Sequence, residues 1–553
     1  MTNGAELAVA ALRREGVDHV FGLPGTTVMH LIDALGCADD MRFVSVRHEQ
    51  VAAFMADGYA RGSGRIGVCM ASRGPGAANL AIGVHNAHAE SVPVLALVGQ
   101  VPDAIYYRDS FEEMDLLRFF EPMTKWSVEV RSAQRVPELV QRAARTALAG
   151  RPGPVLASLP LDVQADEHDG QPQERFRLRC PAPDPGDVAE AVRLLVEAER
   201  PVVVLGGGMQ ARSFDQDLLS LVERLHLPVV TTWMRKNVFP NDSPAFCGSL
   251  GYGALPATEE LVREADVVLA LGCKFSEFTT KSWTLPSKRA RLVHVDLAEE
   301  VIGRVHVPAV GIRADAHATV SAMLSRASEE DLTGGEARRG QVAAARSAYQ
   351  AQSRLPATEP VEGVSSAALI RALRTVLTDN RAVLVQDAPS MGTWIQRYLD
   401  FTEPGRFYAA AGGSMGWGLP AAMGMQLARP DDRIIAVCGD GSFWMVAQDL
   451  ETAVRENLPV VTIINNNFAY GNTRDRQRVA HGGRYHGVFY GNPDFAAFGR
   501  LVGAHGERVE NDTDLVPAIQ RALDSGLPAV VDVVQHAHEG LPPDLTPIPA
   551  TRT

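Results

Sequence analysis

The 553-residue chain lacks the features that mark membrane, nucleic-acid-binding and disulfide-rich proteins. No apolar run is long enough to cross a bilayer, and the first residues show no basic region or apolar run of a signal peptide. The net charge is -13, without a basic segment that would bind nucleic acid or anionic lipid. The six cysteines form no CxxC pair, so neither a zinc site nor a disulfide framework is expected. These absences predict a cytoplasmic protein with no membrane or nucleic-acid partner.

The residues that are present predict a folded protein of the α/β class. With 46% hydrophobic and 22% charged residues the composition is globular, and the length requires more than one domain. Short β-branched runs alternate with glycine-rich turns and alanine-rich segments, a pattern typical of parallel sheets covered by helices. Two polar stretches, 165–187 and 326–362, are interpreted as linkers. They divide the chain into three predicted doubly wound parallel-sheet domains, residues 1–168, 185–330 and 360–540.

The clearest chemical signal lies at the ends of two consecutive predicted strands of the third domain. The strand at Ile434–Val437 ends in the motif Gly439-Asp440-Gly441-Ser442. A helix is predicted from about Val446 to Glu456, and the next strand ends in Asn465-Asn466-Asn467. Because consecutive parallel strands end at one edge of a sheet, Asp440 and Asn467 are expected to lie close together. Their oxygen ligands suit Mg²⁺ with a bound phosphate; a plain tight turn beside polar asparagines is the alternative interpretation.

This pair of motifs resembles the diphosphate-binding motif of thiamine-diphosphate enzymes. The similarity extends along nearly the whole chain, to acetohydroxyacid synthases and related 2-oxoacid decarboxylases. The resemblance implies pyrimidine-binding, central and diphosphate-binding domains, in that order. Outside the third domain's strand ends it rests on Phe21–Gly25, Arg47–Gln50, Ala56–Arg61, Gly74–Asn79, Gly99–Pro102 and Gly413–Pro420.

The resemblance implies a set of ligands for thiamine diphosphate and Mg²⁺. The metal would be held by the side chains of Asp440 and Asn467 and the carbonyl of Ala469. The carbonyl of Gly413 would accept the 4'-amino group, and Met415 would hold the cofactor in a bent shape. Further implied cofactor contacts are Gly25, Ser390, Gly392, Gly441, Ser442, Tyr470 and Gly471.

Glu49 is the implied catalytic carboxyl. A carboxyl bonded to the aminopyrimidine ring favours the imino tautomer, whose exocyclic nitrogen removes the thiazolium C2 proton. The apolar residues that follow Glu49 would bury it and help it to keep its proton. An ordinary acid in the first turn of a helix is the alternative. In the family this glutamate and the residue matching Met415 meet across a subunit interface, which implies a homodimer or homotetramer.

The chain departs from the synthase pattern at positions that contact substrate in the family. Arg476 stands where the synthases have a tryptophan that selects the second 2-oxo acid, and it would suit an anionic or polar acceptor. A solvated helix charge is the alternative interpretation of Arg476. Glu112, after Phe111, replaces a glutamine, and Phe278 replaces an arginine that holds the acceptor carboxylate. A bound FAD is therefore not expected. Thr26 and Gln100 are further candidate substrate contacts.

The expected activity is decarboxylation of a 2-oxo acid, pyruvate by default, dependent on thiamine diphosphate and Mg²⁺. The resulting carbanion would be transferred to a second carbonyl, as in acetolactate synthase. The alternative is a 2-oxoacid decarboxylase or 2-hydroxy-ketone lyase that releases an aldehyde. A flavin-dependent oxidase and a non-catalytic relative are two other hypotheses. The second is disfavoured because Glu49 and Asp440 are both kept.

Overall fold

The computed structural model describes residues 2–176, 178–210, 213–330, 335–357, 362–387, 390–542 and 545. These residues form three six-stranded parallel sheets with flanking helices, which confirms the predicted α/β class and its three sheet domains. The domain boundaries stay predictions, and residue 360 lies outside the described residues. Within the described ranges, no helix is long and apolar enough to cross a membrane.

The first sheet has its topological switch point between two strands that end near Gly25 and Ser72. The strands of the first domain are β1 (Thr2–Asn3), β2 (His19–Gly22), β3 (Arg42–Ser45), β4 (Gly67–Ala71), β5 (Val94–Gln100), β6 (Trp126–Glu129), β7 (Val155–Pro160) and β8 (Glu167–His168). Its helices are α1 (Gly4–Arg14), α2 (Met29–Gly36), α3 (Glu49–Ser63), α4 (Pro75–Glu90), α5 (Leu116–Phe120), α6 (Val136–Leu148) and α7 (Leu161–Ala165). The sheet order is β3-β2-β4-β5-β7-β6, and β1 pairs with β8 separately. Ligands bind at such switch points in α/β sheets.

The middle sheet differs from the first in strand order, because its first strand in sequence is third from one edge of the sheet. Its strands are β9 (Pro201–Leu205), β10 (Val229–Thr231), β11 (Phe246–Ser249), β12 (Val267–Leu271), β13 (Arg291–Asp296) and β14 (Val310–Arg313). Its helices are α8 (Pro185–Glu197), α9 (Gln216–Leu225), α10 (Pro256–Arg263), α11 (Ala316–Ala327) and α12 (Gly335–Gln352).

The third sheet repeats the order of the first. Its strands are β15 (Val383–Gln386), β16 (Phe407–Ala409), β17 (Ile434–Gly439), β18 (Val461–Asn466), β19 (His505–Val509) and β20 (Ala529–Val534). Its helices are α13 (Ser366–Asn380), α14 (Met391–Tyr398), α15 (Gly418–Ala428), α16 (Asp440–Phe443), α17 (Leu450–Arg455), α18 (Gly471–Ala480), α19 (Phe495–Leu501) and α20 (Leu515–Asp524). The order β16-β15-β17-β18-β20-β19 places the switch point between the strands that end at Gln386 and Gly439.

Two predicted segments differ from the structure. The linker predicted at 326–362 contains α12, which buries Tyr349 against the middle domain. The helix predicted from Val446 to Glu456 is interrupted, because Val446 has a non-helical φ of -137° and a 3₁₀ turn precedes α17. The interruption faces the first domain: the Gln50 amide donates to the Met445 carbonyl (2.6 Å), and the Arg47 N–H donates to Asp449 (2.8 Å).

The first and third domains meet through two helices that approach at backbone distance. A Cβ on Gly58 of α3 would lie 2.1 Å from the carbonyl oxygen of Ala421 in α15. A Cβ on Gly424 would lie 2.0 Å from the carbonyl of Met55. Glycine is therefore required at both crossing points, and one hydrophobic core runs from the first domain into the third.

Candidate active site

The two motifs of the third domain lie side by side at the edge of the sheet. Strands β17 and β18 are parallel neighbours with Gly439 opposite Asn465. Asn492 joins the motifs, because its side-chain amide donates to Asp440 Oδ2 (2.8 Å) and to Asn466 Oδ1 (2.9 Å). The expected convergence of the two strand ends is present in the structure.

Asp440 is a buried carboxyl surrounded by neutral donors. It is 2% exposed, and its Oδ1 accepts hydrogen bonds from the Gly441 N–H (2.8 Å) and the Tyr490 hydroxyl (2.9 Å). Burial raises the pKa of Asp440, and the hydrogen bonds oppose that rise only in part. The donors described around Asp440 are the backbone N–H of Gly441, the Tyr490 hydroxyl and the Asn492 amide, all of them neutral. A divalent ion would supply the missing positive charge.

The backbone beside Asp440 leaves no room for side chains. A Cβ on Gly441 would lie 2.6 Å from the ring of Tyr470 and 2.6 Å from the hydroxyl oxygen of Tyr490. A Cβ on Gly471 would lie 2.9 Å from the Ser390 hydroxyl and 3.1 Å from Asn467 Nδ2. Such close approach lets backbone groups reach a ligand directly. The predicted diphosphate contacts of the third domain therefore lie around one turn.

Ala469 lies in a short antiparallel bridge with Phe489. The hydrogen bonds of this bridge use the carbonyls of Val488 and Phe468 and do not use the carbonyl of Ala469. Asn467 is 4% exposed, and Gly392 is too crowded for a Cβ because Gln386 Nε2 would lie 2.3 Å away.

The segment 410–417 joins β16 to α15 and is called the 410–417 loop below. It contains Gly413, which has a φ of +80° and open space at the Cβ position, and the half-buried Met415. Its end is fixed by the third domain. Gly416 N–H donates to the Ser442 hydroxyl (2.6 Å), which donates to Asp387 Oδ2 (2.6 Å). Ser442 thus connects the strand ends at the switch point to this loop.

Glu49 is the first residue of α3 and is 7% exposed. Its Oε2 accepts a hydrogen bond from Asn79 Nδ2 (2.9 Å). A Cβ on Gly76 would lie 3.1 Å from Oε1, so the small residue keeps this side of the carboxyl accessible. These contacts come from the first domain. The next residue, Gln50, reaches the third domain at Met445.

Gly25, Thr26 and Gln100 differ in their surroundings. A Cβ on Gly25 would lie 2.6 Å from Ser72 Cβ, and Thr26 is exposed. Gln100 is 1% exposed, and its side chain bonds to backbone at both ends, the Val101 N–H (2.9 Å) and the Met114 carbonyl (2.9 Å). Both polar ends of the Gln100 side chain are thus bonded to backbone, and its contact with substrate stays a prediction.

The other candidate substrate contacts lie in two domains. Phe111 is exposed, and its carbonyl accepts a hydrogen bond from Arg73 Nε (2.7 Å). Glu112 pairs weakly with the same arginine (3.9 Å). Arg476 is half-buried, and its Nε has no hydrogen-bond partner among the described residues. Among Phe111, Glu112 and Arg476, it is therefore Arg476 that has a buried donor with which a ligand could bond.

Four residues around the site were not assigned from the sequence. Asn79 lies inside a quoted motif, and Asp387 directly follows a predicted strand, so both had a detectable signal. Tyr490 and Asn492 lie in an irregular segment between α18 and α19, where no periodicity or spacing marks them.

A cavity of about 710 Å³ lies between the first and middle domains, and Ala411 and Gly412 of the 410–417 loop also line it. Its wall includes Gly206, Gly207 and Gly208, the glycine run after β9. A Cβ on Gly206 would lie 2.1 Å from the carbonyl of Gly272, and one on Gly208 would lie 2.7 Å from its Cα. The packing of two turns therefore already requires glycine at two of these positions.

Comparisons with known proteins agree with this geometry. Profiles of the thiamine pyrophosphate enzyme N-terminal, central and C-terminal domains match residues 2–119, 188–323 and 387–533. The chain is 33% identical to the probable acetolactate synthase large subunit of Methanocaldococcus jannaschii, over 98% of this chain and 93% of that protein. It is 30% identical to the acetolactate synthase isozyme 1 large subunit of Escherichia coli (strain K12), over 98% and 96%. The chain therefore belongs to the family of thiamine pyrophosphate-dependent enzymes and is similar to acetolactate synthase large subunits over nearly its whole length.

Proposed function

We propose that the protein decarboxylates a 2-oxo acid, pyruvate by default, and transfers the resulting two-carbon unit to a second carbonyl, as acetolactate synthases do. The single observation that carries the proposal is the buried Asp440 carboxyl beside the Asn466–Asn467 strand end, whose hydrogen-bond donors among the described residues are all neutral. A Mg²⁺ ion and a diphosphate would satisfy this arrangement of charges.

The residues present fit the metal and the diphosphate. Asp440, Asn467 and the carbonyl of Ala469 would hold Mg²⁺, with the remaining positions taken by phosphate oxygens and water. Gly441, Ser442, Gly471 and Tyr470 surround the same turn and would line the diphosphate. Ser390 and Gly392, at the beginning of α14, would contact it from the other side of the switch point.

Glu49 is the proposed catalytic residue. When bound, thiamine diphosphate supplies an acidic carbon that adds to a carbonyl and stores the electrons released with carbon dioxide. The Asn79 amide holds Glu49 Oε2, which orients the carboxyl and leaves Oε1 to bond the aminopyrimidine ring. Glu49 would keep a proton at that ring nitrogen, and the carbonyl of Gly413 would accept the amino group. Met415 would pack against the cofactor and hold it in its bent shape.

The acceptor side of the site differs chemically from that of the synthases. Phe278 packs against Trp233, with ring centroids 4.7 Å apart, and near Tyr252, at 6.2 Å. Burial raises the pKa of Tyr252 to about 12, and the positive charge of Arg476 opposes that rise in part. We propose that Arg476 binds the anionic or polar acceptor, in place of the arginine replaced by Phe278.

The test combines a product assay with one substitution. Wild-type protein with thiamine diphosphate, Mg²⁺ and pyruvate should form acetolactate; release of acetaldehyde alone would favour the decarboxylase alternative. Glu49→Gln should bind the cofactor with unchanged affinity and lose activity by at least about 100-fold, since it removes an acid–base group. Full activity in Glu49→Gln would refute the assignment.

The remaining expectations concern assembly, location and flavin. We propose a homodimer or homotetramer with the active sites at the subunit interface, located in the cytoplasm. Sedimentation velocity of the loaded protein would test the assembly, and a monomer with full activity would contradict it. FAD is not expected, and the visible absorption spectrum of the purified protein would test this.

A further inference from the structure

The segment that joins β5 to α5, residues 101–115, is called the 101–115 loop below. It contains Phe111 and Glu112, two of the candidate substrate contacts. Strands β2 to β5 are parallel, so the loop leaves the first sheet at the same edge as Glu49, which follows β3. Ligands bind at this edge of α/β sheets.

The backbone of the 101–115 loop is strained at three positions. Tyr107, Asp109 and Glu112 have φ values of +62°, +57° and +60°. Residues other than glycine rarely adopt this left-handed conformation. Such strain persists only where surrounding contacts fix the conformation, and it is frequent at functional sites. The contacts that hold this loop are therefore informative about its function.

The two ends of the loop are fixed by neighbouring elements. The Asp103 N–H donates to Asp162 Oδ2 (2.9 Å), and Gln100 Nε2 donates to the carbonyl of Met114 (2.9 Å). Within the loop, the Glu113 carboxylate accepts hydrogen bonds from the N–H groups of residues 107 (2.8 Å) and 110 (3.1 Å). These bonds close the loop on itself and leave its middle to be fixed from outside.

Arg73 holds the middle of the loop. Its Nε donates to the carbonyl of Phe111 (2.7 Å), and its guanidinium carbon lies 5.6 Å from the centroid of the Phe111 ring. The Glu112 carboxylate lies 3.9 Å from the same Nε. A Cβ on Gly74 would lie 2.5 Å from the carbonyl oxygen of Glu112, so the turn that carries Arg73 contacts the loop backbone directly. The Arg73 side chain is only 12% exposed, which protects the bond from competing water.

The turn that carries Arg73 leads directly to the groups around Glu49. The Arg73 N–H donates to Thr27 Oγ1 (3.2 Å), which fixes the turn on the sheet. Helix α4 begins after this turn, and its Gly76 and Asn79 are the residues that border the two oxygens of Glu49. All of these residues belong to the first domain of one subunit, so the loop, Arg73 and Glu49 act on the same cofactor.

We propose that Arg73 is a positioning residue, which holds the 101–115 loop on the turn before α4 so that Phe111 borders the 2-oxo acid beside Glu49. Phe111 is 76% exposed in the single chain, so its ring is available for this contact. Arg73 also compensates the charge of Glu112, which would otherwise repel an anionic substrate. The inference rests on the proposed function, since it assigns the loop to that active site.

The first test uses the chain without cofactor and does not depend on the proposed function. Arg73→Gln removes the bond to the Phe111 carbonyl, and Arg145→Gln is the matched control. Arg145 is a largely buried arginine of the same domain that pairs with Glu15 at 2.8 Å. In hydrogen exchange measured by mass spectrometry, peptides covering residues 101–115 should exchange at least about 10-fold faster in Arg73→Gln and at the wild-type rate in Arg145→Gln.

A second variant keeps the test valid if Arg73→Gln does not fold. Arg73→Lys keeps the positive charge beside Glu112 but has no N–H at the Nε position. Peptides of the 101–115 loop should therefore also exchange faster in Arg73→Lys than in the wild-type chain.

The second test separates substrate binding from activation of the cofactor, in protein loaded with thiamine diphosphate and Mg²⁺. Exchange of the cofactor's C2 proton with deuterium, measured by quenching and NMR, reports on Glu49, and kcat/KM for pyruvate reports on the whole site. Arg73→Gln should lower kcat/KM by about 10- to 100-fold, because the loop beside the substrate is misplaced. C2 exchange should change by less than about 3-fold, because the bond from Asn79 to Glu49 does not involve the Arg73 side chain. An arginine that only stabilised the domain would not separate these two quantities.

The outcomes distinguish the two proposals. A wild-type protein that binds thiamine diphosphate without accelerating C2 exchange would refute the proposed function. With wild-type acceleration present, three results would each refute the role of Arg73 alone. These are loop exchange at the wild-type rate in both Arg73 variants, an unchanged kcat/KM in Arg73→Gln, and equal losses of kcat/KM and C2 exchange.

Discussion

The contact between α3 and α15 makes one substitution unusually informative. Gly58→Ala adds a single methyl group that would lie 2.1 Å from the carbonyl oxygen of Ala421 and 2.6 Å from its Cα. An ordinary contact needs about 3.4 Å, so the helices would have to separate by about 1 Å. Overpacking of this kind lowers the free energy of unfolding by about 3 kcal/mol. Alanine has a higher helix propensity than glycine, which restores up to about 1 kcal/mol of this stability. The expected net loss of stability is about 2 kcal/mol.

The matched control is Gly340→Ala in α12. Gly340 is exposed, and no atom lies within 4 Å of its Cβ position, so this change should only stabilise, by up to about 1 kcal/mol. Differential scanning calorimetry should show the first transition of Gly58→Ala lowered by about 4–8 °C and that of Gly340→Ala unchanged or raised. Activity should fall only in Gly58→Ala, since α3 carries Glu49. Equal melting temperatures in the two variants would refute the close approach of the helices.

Three further substitutions test individual side chains. Asp440→Asn keeps the shape but removes the charge, so titration calorimetry should show Mg²⁺-dependent cofactor affinity lowered by at least about 10-fold; unchanged affinity would contradict metal binding there. Burial raises the pKa of Asp449 from 3.8 to about 6, so wild-type stability should fall by about 3 kcal/mol as pH rises from about 4 through 6. Asp449→Asn cannot ionise and should gain stability relative to wild type across that window; a pH-independent difference in urea midpoints would contradict the shift. Arg476→Ala should raise the KM of the acceptor by about 10-fold without slowing decarboxylation of the donor, as initial rates at fixed donor would show.

The positions predicted correctly from the sequence are those fixed by strand periodicity and topology. The strand predicted at Ile434–Val437 and the one predicted to end in the asparagine cluster correspond to β17 and β18, with small differences at their ends. Because β17 and β18 are consecutive neighbours, the approach of Asp440 to the asparagine cluster followed from their order alone. The prediction of a linker at 326–362 was wrong because the segment contains α12. This alanine- and arginine-rich helix has only two buried residues and so resembles a polar linker in composition.

The errors near the site have a common physical cause. The helix predicted from Val446 is interrupted where Gln50 and Arg47 of the first domain bond to Met445 and Asp449. These partners are about 400 positions away in sequence, so no local pattern could reveal them. Tyr490, which bonds to Asp440, lies in an irregular segment, so no periodicity marked it in the sequence.

The repeated strand order explains how two unlike halves can form one site. In the first and third sheets, α3 and α15 follow the corresponding second strands, and these equivalent helices pack against each other. The turns after the corresponding third strands differ in chemistry. Pro75 begins α4 in the first domain and has no N–H to donate, whereas the turn at Gly441 in the third domain donates to Asp440. We therefore expect the third domain to bind an anion with its metal, and the first domain to supply the carboxyl of Glu49.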